Sequence, residues 1–367
     1  MPKLIPGLLL TVGLVLVAIQ LTDWMNQALG YQGLVSYILA AIVLGILVRN
    51  TLGLAALFQP GVACSLRKLL RLGIILMGIR LSFSDVVTIG AWGVPIVIVC
   101  ILTGLVVTTY FTRLLKLPDR LGTLIAVGTS ICGASAIVAT APGIGAKDEE
   151  VTYAVANITV FGIIAMFTYP FLANIIFGGD VTQVGLFTGT AIHETAQVAG
   201  AGLIYDQSFD ITSNPSAADV AIVTKLVRNV MMALVIPGMA FLYSRRMASL
   251  GTLDEQRKVG LLQLLPLFIV GFLLLAVLRS IGDASLDSGG LAMGIWGDEA
   301  WTSLTHGIKS WSGYILATAM AGVGLGTSFR TMKGMGLKPF MVGFFAATMV
   351  GLTSIVLVFL IGPFVKL

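Results

Sequence analysis

The chain has 367 residues, of which 57% are hydrophobic and only 11% charged, with a mean hydropathy of +0.99 and a net charge of +5. Soluble domains carry about 25% charged residues, so this composition excludes an ordinary soluble protein and points to an all-α polytopic membrane protein. The surplus positive charge sits at the ends of apolar runs, where it sets orientation in a lipid bilayer; no nucleic-acid partner is expected.

A transmembrane helix needs about 20 apolar residues. On that measure the apolar runs read as spans near 6–27, 33–50, 68–85, 89–114, 121–141 and 152–178, then 183–203, 217–243, 258–280, 311–330 and 338–364, about eleven in all. Met1–Lys3 is a short polar start with no small-residue cleavage site after it, so the first run reads as a retained span. Three cysteines, Cys64, Cys100 and Cys132, lie in or beside apolar segments, and an odd number so placed argues against a disulfide framework.

Charge then assigns the faces. Arg49, Arg67, Lys68, Arg113, Lys116, Arg120, Arg245, Arg246, Arg257, Lys258, Arg330, Lys333 and Lys338 fall on one side if there are eleven spans. Asp148, Glu149, Glu150, Asp206, Asp210, Asp283, Asp287, Asp298 and Glu299 fall on the other. The asymmetry predicts a cytoplasmic N-terminus and an external C-terminus. The long acidic stretch from Asp283 to Lys309, with Trp296 and Trp301, is expected at the external membrane surface.

Lys68-Leu69-Leu70-Arg71 and Lys225-Leu226-Val227-Arg228 share the pattern Lys-Leu-x-Arg at an offset of 157 residues. Carried along the chain, that offset predicts one extra helix (1–32) followed by two inverted units of five spans, 33–178 and 183–367. Inverted repeats of this kind are a transporter architecture, with broken helices at the repeat interface. The fourth members would be span five, with Gly128, Thr129, Ser130, Cys132, Gly133 and Ser135, and span ten, with Gly322, Gly324 and Gly326. Such small and polar residues suit a helix that breaks inside the membrane; the alternative is close helix–helix packing. A further likeness, Gly128-Thr129-x-Ile131 to Gly189-Thr190-x-Ile192, cuts across this scheme and is set aside as coincidence.

Ionisable residues inside a membrane are expensive and are functional candidates by default. Span seven carries His193, Glu194 and Gln197, close to the zinc-protease pattern His-Glu-x-x-His, but Gln197 stands where the second ligand belongs. No metal site and no cofactor are therefore expected. His193 either takes part in proton transfer or holds two helices together. Lys225 and Arg228 lie deep in span eight and need anionic partners, either Glu194 or an anionic substrate. Asp219 after Asn214-Pro215-Ser216 reads as a helix cap. Lys68, Arg71, Arg80 and Arg279 read as anchors that reach the membrane surface.

The stretches Gly128–Ala136 and Gly189–Val198, the Gly145-Ala146-Lys147 turn and Lys225–Arg228 resemble the YeiH-type family, to which sulfate export is ascribed, over essentially the whole chain. That family often has aspartate where this sequence has Glu194. The resemblance implies a fold of the cation/proton-antiporter and anion-transporter group (NhaA-like), with two crossed broken helices in a core domain. It also implies a scaffold or dimer domain, a homodimer, an elevator-like movement and an inner-membrane location. The expected activity is secondary export of a small inorganic or organic anion (sulfate, sulfite or a sulfonate), with no enzymatic step. Thr129, Ser130, Cys132, Gly133, Ser135, Lys225, Arg228 and the glycines of span ten would bind it, and His193, Glu194 and Gln197 would couple H+ or Na+. The rivals are a cation/proton antiporter using Glu194 and His193, and an intramembrane enzyme or receptor.

Overall fold

The computed structural model describes residues 3–29, 36–249, 266–329 and 336–366, and every regular helix or strand among them is helical apart from one isolated bridge, Ala292 to Trp296. The predicted stretch with Arg257 and Lys258, like Arg330 and Lys333, lies outside the described residues. The order begins α1 (Ile5–Leu29), α2 (Tyr37–Thr51), α3 (Gln59–Cys64), a five-residue π turn (Ser65–Leu69), α4 (Leu70–Met77) and α5 (Phe83–Leu114). It continues α6 (Asp119–Ser130), α7 (Ala134–Thr140), α8 (Asp148–Ile176), α9 (Val181–Ala191), α10 (Thr195–Ser208), α11 (Ala217–Val230) and α12 (Met232–Ser249). The last three are α13 (Leu267–Gly289), α14 (Asp298–Gly326) and α15 (Leu337–Ile361). Five helices, α1, α5, α8, α13 and α15, are long and apolar enough to cross a membrane singly, and α11 with α12 makes a sixth span bent by 40°.

Local chemistry fixes the starts. Ser82 accepts from Asp85 N–H while Asp85 accepts from Ser82 N–H at the head of α5, and Ser216 with Asp219 repeats the arrangement at α11. Asp180 caps α9 through the Gln183 N–H. These reciprocal bonds satisfy backbone donors that would otherwise be stranded at a helix start. Asp219 is thus the cap its sequence context predicts.

Two of the predicted spans do not cross. Leu121 near the start of α6 packs in one cluster with Ala141 and Ile144 beyond the end of α7. Farther along α6, a Cβ on Gly128 would touch Ile137 of α7. Asp119 pairs with Arg246 at 2.8 Å, and Gly143 lies against Ala240, so both ends of α6–α7 pack on α12 from its middle onward. Span five is a re-entrant hairpin whose tip is Ile131–Gly133. Span seven is a second one, with tip Ile192–Glu194. Gly185 in α9 packs on Ala217 and Val220, Gly202 in α10 packs on Ala218, and Asp206 accepts from the Ala217 and Ala218 N–H groups. Both arms of this hairpin therefore return to the start of α11, the end opposite Arg246.

Among the described residues, five single helices and the bent α11–α12 pair have the length and apolar content of a span, and two hairpins enter from opposite ends. This corrects the count of eleven crossings. It also moves Asp148, Glu149 and Glu150 to the basic end, because α8 starts where the first hairpin leaves; Asn157 of α8 donates to Pro339 O beside the start of α15. Span ten is corrected too. α14 is continuous over 29 residues, and its glycines serve close packing: a Cβ on Gly324 would lie 2.3 Å from Ile42 O, and one on Gly322 3.1 Å from Ser65 Oγ. The small-residue interface, which the sequence left open, is what span ten contains.

The helices form two groups. α5, both hairpins, α8, α11, α12 and α15 pack on one another; α1, α2, α3–α4, α13 and α14 form the other group, with sparse contact between the two.

Candidate functional site

The tips of the two hairpins meet at α11, where Lys225 and Arg228 are fully buried one turn apart. A helix ends with carbonyls that lack an intrahelical partner, and here the first arm of each hairpin ends in the bundle interior. Lys225 Nζ donates to Ile131 O at 2.9 Å, to Ile192 O at 2.8 Å and to His193 O. Those are all three of its donors. Arg228 Nε donates to Ser130 O at 2.8 Å, Nη1 to Thr190 O at 2.6 Å and Nη2 to Thr129 O. Each cation thus holds the same pair of positions on both hairpins, Ile131 with Ile192 and Thr129 with Thr190. The direct hydrogen bonds of both cations go to backbone carbonyls of the two tips.

Charge bookkeeping shows what remains. Each helix C-terminus is equivalent to about half a negative charge, so two arm ends offset roughly one of the two buried positive charges. Glu194 is the carboxylate whose charge acts on Lys225. It lies partly buried over Gly133, with Thr159 Oγ1 at 3.5 Å from its Oε1 and its carboxylate facing the Ala134 N–H. Gln197 accepts from Glu194 N–H at 3.2 Å and donates to Thr159 O at 3.4 Å, tying the second hairpin to α8. His193 is buried, directed at the Thr129 carbonyl, with no hydrogen-bond partner for Nδ1.

A cavity of about 280 Å³ opens beside the tips, between the two helix groups; Arg67, Arg71, Cys132, Ser135, Thr195 and Asn229 line it. At about 30 Å³ per liquid water, it takes a small ion with part of its hydration shell. Asn229 Nδ2 donates to Thr195 Oγ1 at 3.1 Å, and its Oδ1 has no partner. Cys132 Sγ lies 3.4 Å from Met232 Sδ on the cavity wall.

The family model described as conserved hypothetical protein 698 matches residues 6–343. The chain belongs to that family. Similar proteins include a UPF0324 membrane protein of Pseudomonas aeruginosa, 36% identical over 354 residues that cover 93% of this chain and 89% of the relative. Others are UPF0324 membrane proteins of Corynebacterium glutamicum, 33% identical over 359 residues (97% and 91% covered), and Yersinia pestis, 32% over 354 (93% and 88%). As a member of this family, with apolar helices of spanning length, the protein is a membrane protein.

Within this family member the predicted site residues divide. Cys132 and Ser135 line the cavity, while the Thr129 and Ser130 side chains are buried away from it, with Ser130 against Gly104 of α5. Gly322, Gly324 and Gly326 pack against α2 and the π turn, in the other helix group from the hairpins. Four polar residues of the cavity wall were not singled out as site residues: Arg67, Arg71, Thr195 and Asn229. Arg71 carried no signal in the sequence, because a span read as starting at 68 puts it within one turn of the end; the helical run in fact starts at Gln59, and Arg71 faces the cavity beside Arg67. The π turn before it is the kind of helix irregularity that recurs at functional sites.

Proposed function

We propose that this protein is a secondary active transporter of a small oxyanion of the sulfate, sulfite or sulfonate class, exporting it by movement of the hairpin group against the other helices. The carrying observation is the cavity at the hairpin tips, positive by Arg67 and Arg71, with Glu194 and the arm ends set against Lys225 and Arg228. A cation would meet that surplus charge unfavourably, which counts against the cation/proton antiporter. Ser135, Thr195 and Asn229 supply hydrogen-bond donors to anionic oxygens. The two hairpins entering from opposite ends suit alternating access at the place where their tips meet.

The basic end, with Arg49, Arg113, Lys116, Arg245 and Arg246, belongs in the cytoplasm by the positive-inside rule. The cavity, with Arg67 at its wall, then faces inward, the N-terminus is cytoplasmic, the C-terminus external, and the membrane is the bacterial inner membrane. An inside-negative potential favours export of an anion by about 2.3 kcal/mol per charge per 100 mV. Glu194 is the coupling group: when protonated it no longer repels the anion, so occupancy and protonation rise together.

Reconstitution into proteoliposomes, with uptake of labelled sulfate, sulfite and taurine, tests the reading. At least one should move, Arg71→Gln should raise the cytoplasmic-side KM about tenfold, in line with loss of a charged hydrogen bond, and Glu194→Gln should transport with a flattened pH profile. If none of the three moves, the anion reading fails. Sodium- or potassium-dependent proton movement lost in Glu194→Gln would establish the antiporter in its place.

A further inference from the structure

Arg80 reads from sequence as a surface anchor, but its guanidinium does not reach for a membrane surface. It ends the 3-10 turn after α4, with its side chain 13% exposed, and pairs through Nε with Asp219 Oδ1 at 3.1 Å. Its Nη2 donates to Ser216 Oγ at 3.2 Å. This ion pair spans the two helix groups at the acidic end, joining α4 to α11, whose other residues hold the hairpin tips.

Two axial spacings compare here. Arg71 and Arg80 lie nine residues apart on one run, about 15 Å along its axis with the last three residues in the 3-10 turn. Asp219 and Asn229 lie ten residues apart on α11, about 15 Å, and α11 runs the opposite way. Arg80 stands opposite Asp219, while Arg71 shares the inner cavity with Asn229. The spacings match to within one residue. A slide of α11 and its hairpins by about 15 Å toward the acidic end would therefore carry the Asn229 level from Arg71 to Arg80 and take Asp219 out of reach.

We infer that Arg80 is the outer counterpart of Arg71, a docking point for the same small oxyanion in the outward-facing arrangement, covered by Asp219 in this one. The inference rests on the transport reading given above. Arg80 already borders a second cavity, of about 630 Å³, together with Lys309 and His306. Asp206 in that wall is committed to capping α11, whereas Asp23 and Asp210 also line it. Asp219 keeps acceptor bonds when Arg80 leaves, since its Oδ2 accepts from Ser216 N–H at 3.0 Å and from Ser216 Oγ at 2.9 Å. Parting leaves only Asp219 Oδ1 without its partner, a cost that docking of the anion at Arg80 must offset.

The test is sidedness of KM in oriented proteoliposomes, using whichever of labelled sulfate, sulfite or taurine the wild type moves. Arg80→Gln should raise the external KM about tenfold and leave the cytoplasmic KM within about twofold, with Arg80→Lys recovering part of the loss. Arg71→Gln should give the reverse split. Asp219→Asn keeps an acceptor for the helix cap but removes the charge that holds Arg80 in this arrangement, so it should shift the protein toward the outward-facing one and lower the external KM by severalfold. Equal changes on both faces in Arg80→Gln overturn the outer docking point while leaving the anion reading intact. If Arg80→Gln does not assemble, an external KM unchanged in Asp219→Asn overturns it instead. A wild type that moves none of the three anions overturns both.

Discussion

The first hairpin (α6–α7) and the second (α9–α10) follow one backbone plan at an offset of 61 residues. α6 stops at Ser130 and α9 at Ala191; α7 resumes at Ala134 and α10 at Thr195. The Ile131 and Ile192 carbonyls share one lysine, the Thr129 and Thr190 carbonyls one arginine. The likeness ends in the tips. Where the second hairpin has Glu194, the first has Gly133, at φ 68°, and the Glu194 side chain lies over that glycine so closely that a Cβ there would come 2.3 Å from Glu194 Cγ. Two copies facing each other across a near-symmetric junction cannot both carry a side chain at this level. The pair therefore divides the work: one tip supplies the ionisable group and the other supplies the room for it.

The largest expected effect comes from breaking what the hairpins share. Lys225→Met keeps the length but strands the Ile131, Ile192 and His193 carbonyls in the interior. Breaking a buried ionic arrangement on one side costs about 3–5 kcal/mol, so the variant should lose most of its thermal stability in detergent. Because the lysine serves both tips, cysteines placed at Ser130 and Ala191 in that background should gain thiol reactivity together. Exposure of only one would show that the hairpins are not equivalent.

Gly133→Ala tests what they do not share. The positive φ costs about 1–3 kcal/mol for a residue with a Cβ, and the contact with Glu194 adds to it. Glu194→Ala removes Cγ, so the double variant should recover the contact portion but not the backbone portion. A thermal-stability cycle should show coupling of about 1 kcal/mol or more between these neighbours. Strict additivity would mean that the two side chains do not compete for one space.

Much of this was legible beforehand. Composition fixed the class, and isolated cations at Lys225 and Arg228 marked the junction because buried charge is too costly to be incidental. The repeat was misread. Lys-Leu-x-Arg at an offset of 157 was the more conspicuous likeness, and it paired span five with span ten. Gly128-Thr129-x-Ile131 and Gly189-Thr190-x-Ile192, set aside, are the matching arm ends. Hydropathy could not separate them, since a hairpin that turns back inside protein and a helix that crosses have similar apolar content. Glycine-rich helix packing in α14 and a chain break in α6–α7 also draw on the same small residues. The distinction lies in which backbone carbonyls need a partner, and that is a property of three-dimensional contact.

The smallest expected effect separates hydroxyls that the sequence grouped together. Thr129, Ser130 and Ser135 all read as oxygen-binding side chains, yet Thr129 contributes its carbonyl to Arg228 while its Oγ1 is buried without a partner. Thr129→Val keeps the shape and the carbonyl and removes a buried hydroxyl that has no hydrogen bond, so stability should stay level or rise by up to about 1 kcal/mol. The substrate KM should change by less than about twofold, which is under 0.5 kcal/mol. Ser135→Ala removes a hydroxyl that lines the cavity, and loss of one neutral hydrogen bond to an anion should raise KM by about threefold to tenfold with little change in stability. The two variants differ by a methyl or a hydroxyl at positions six residues apart. A KM effect larger at Thr129 than at Ser135 would put the anion on the inner side of the tip, against Arg228, and not in the cavity beside Arg71.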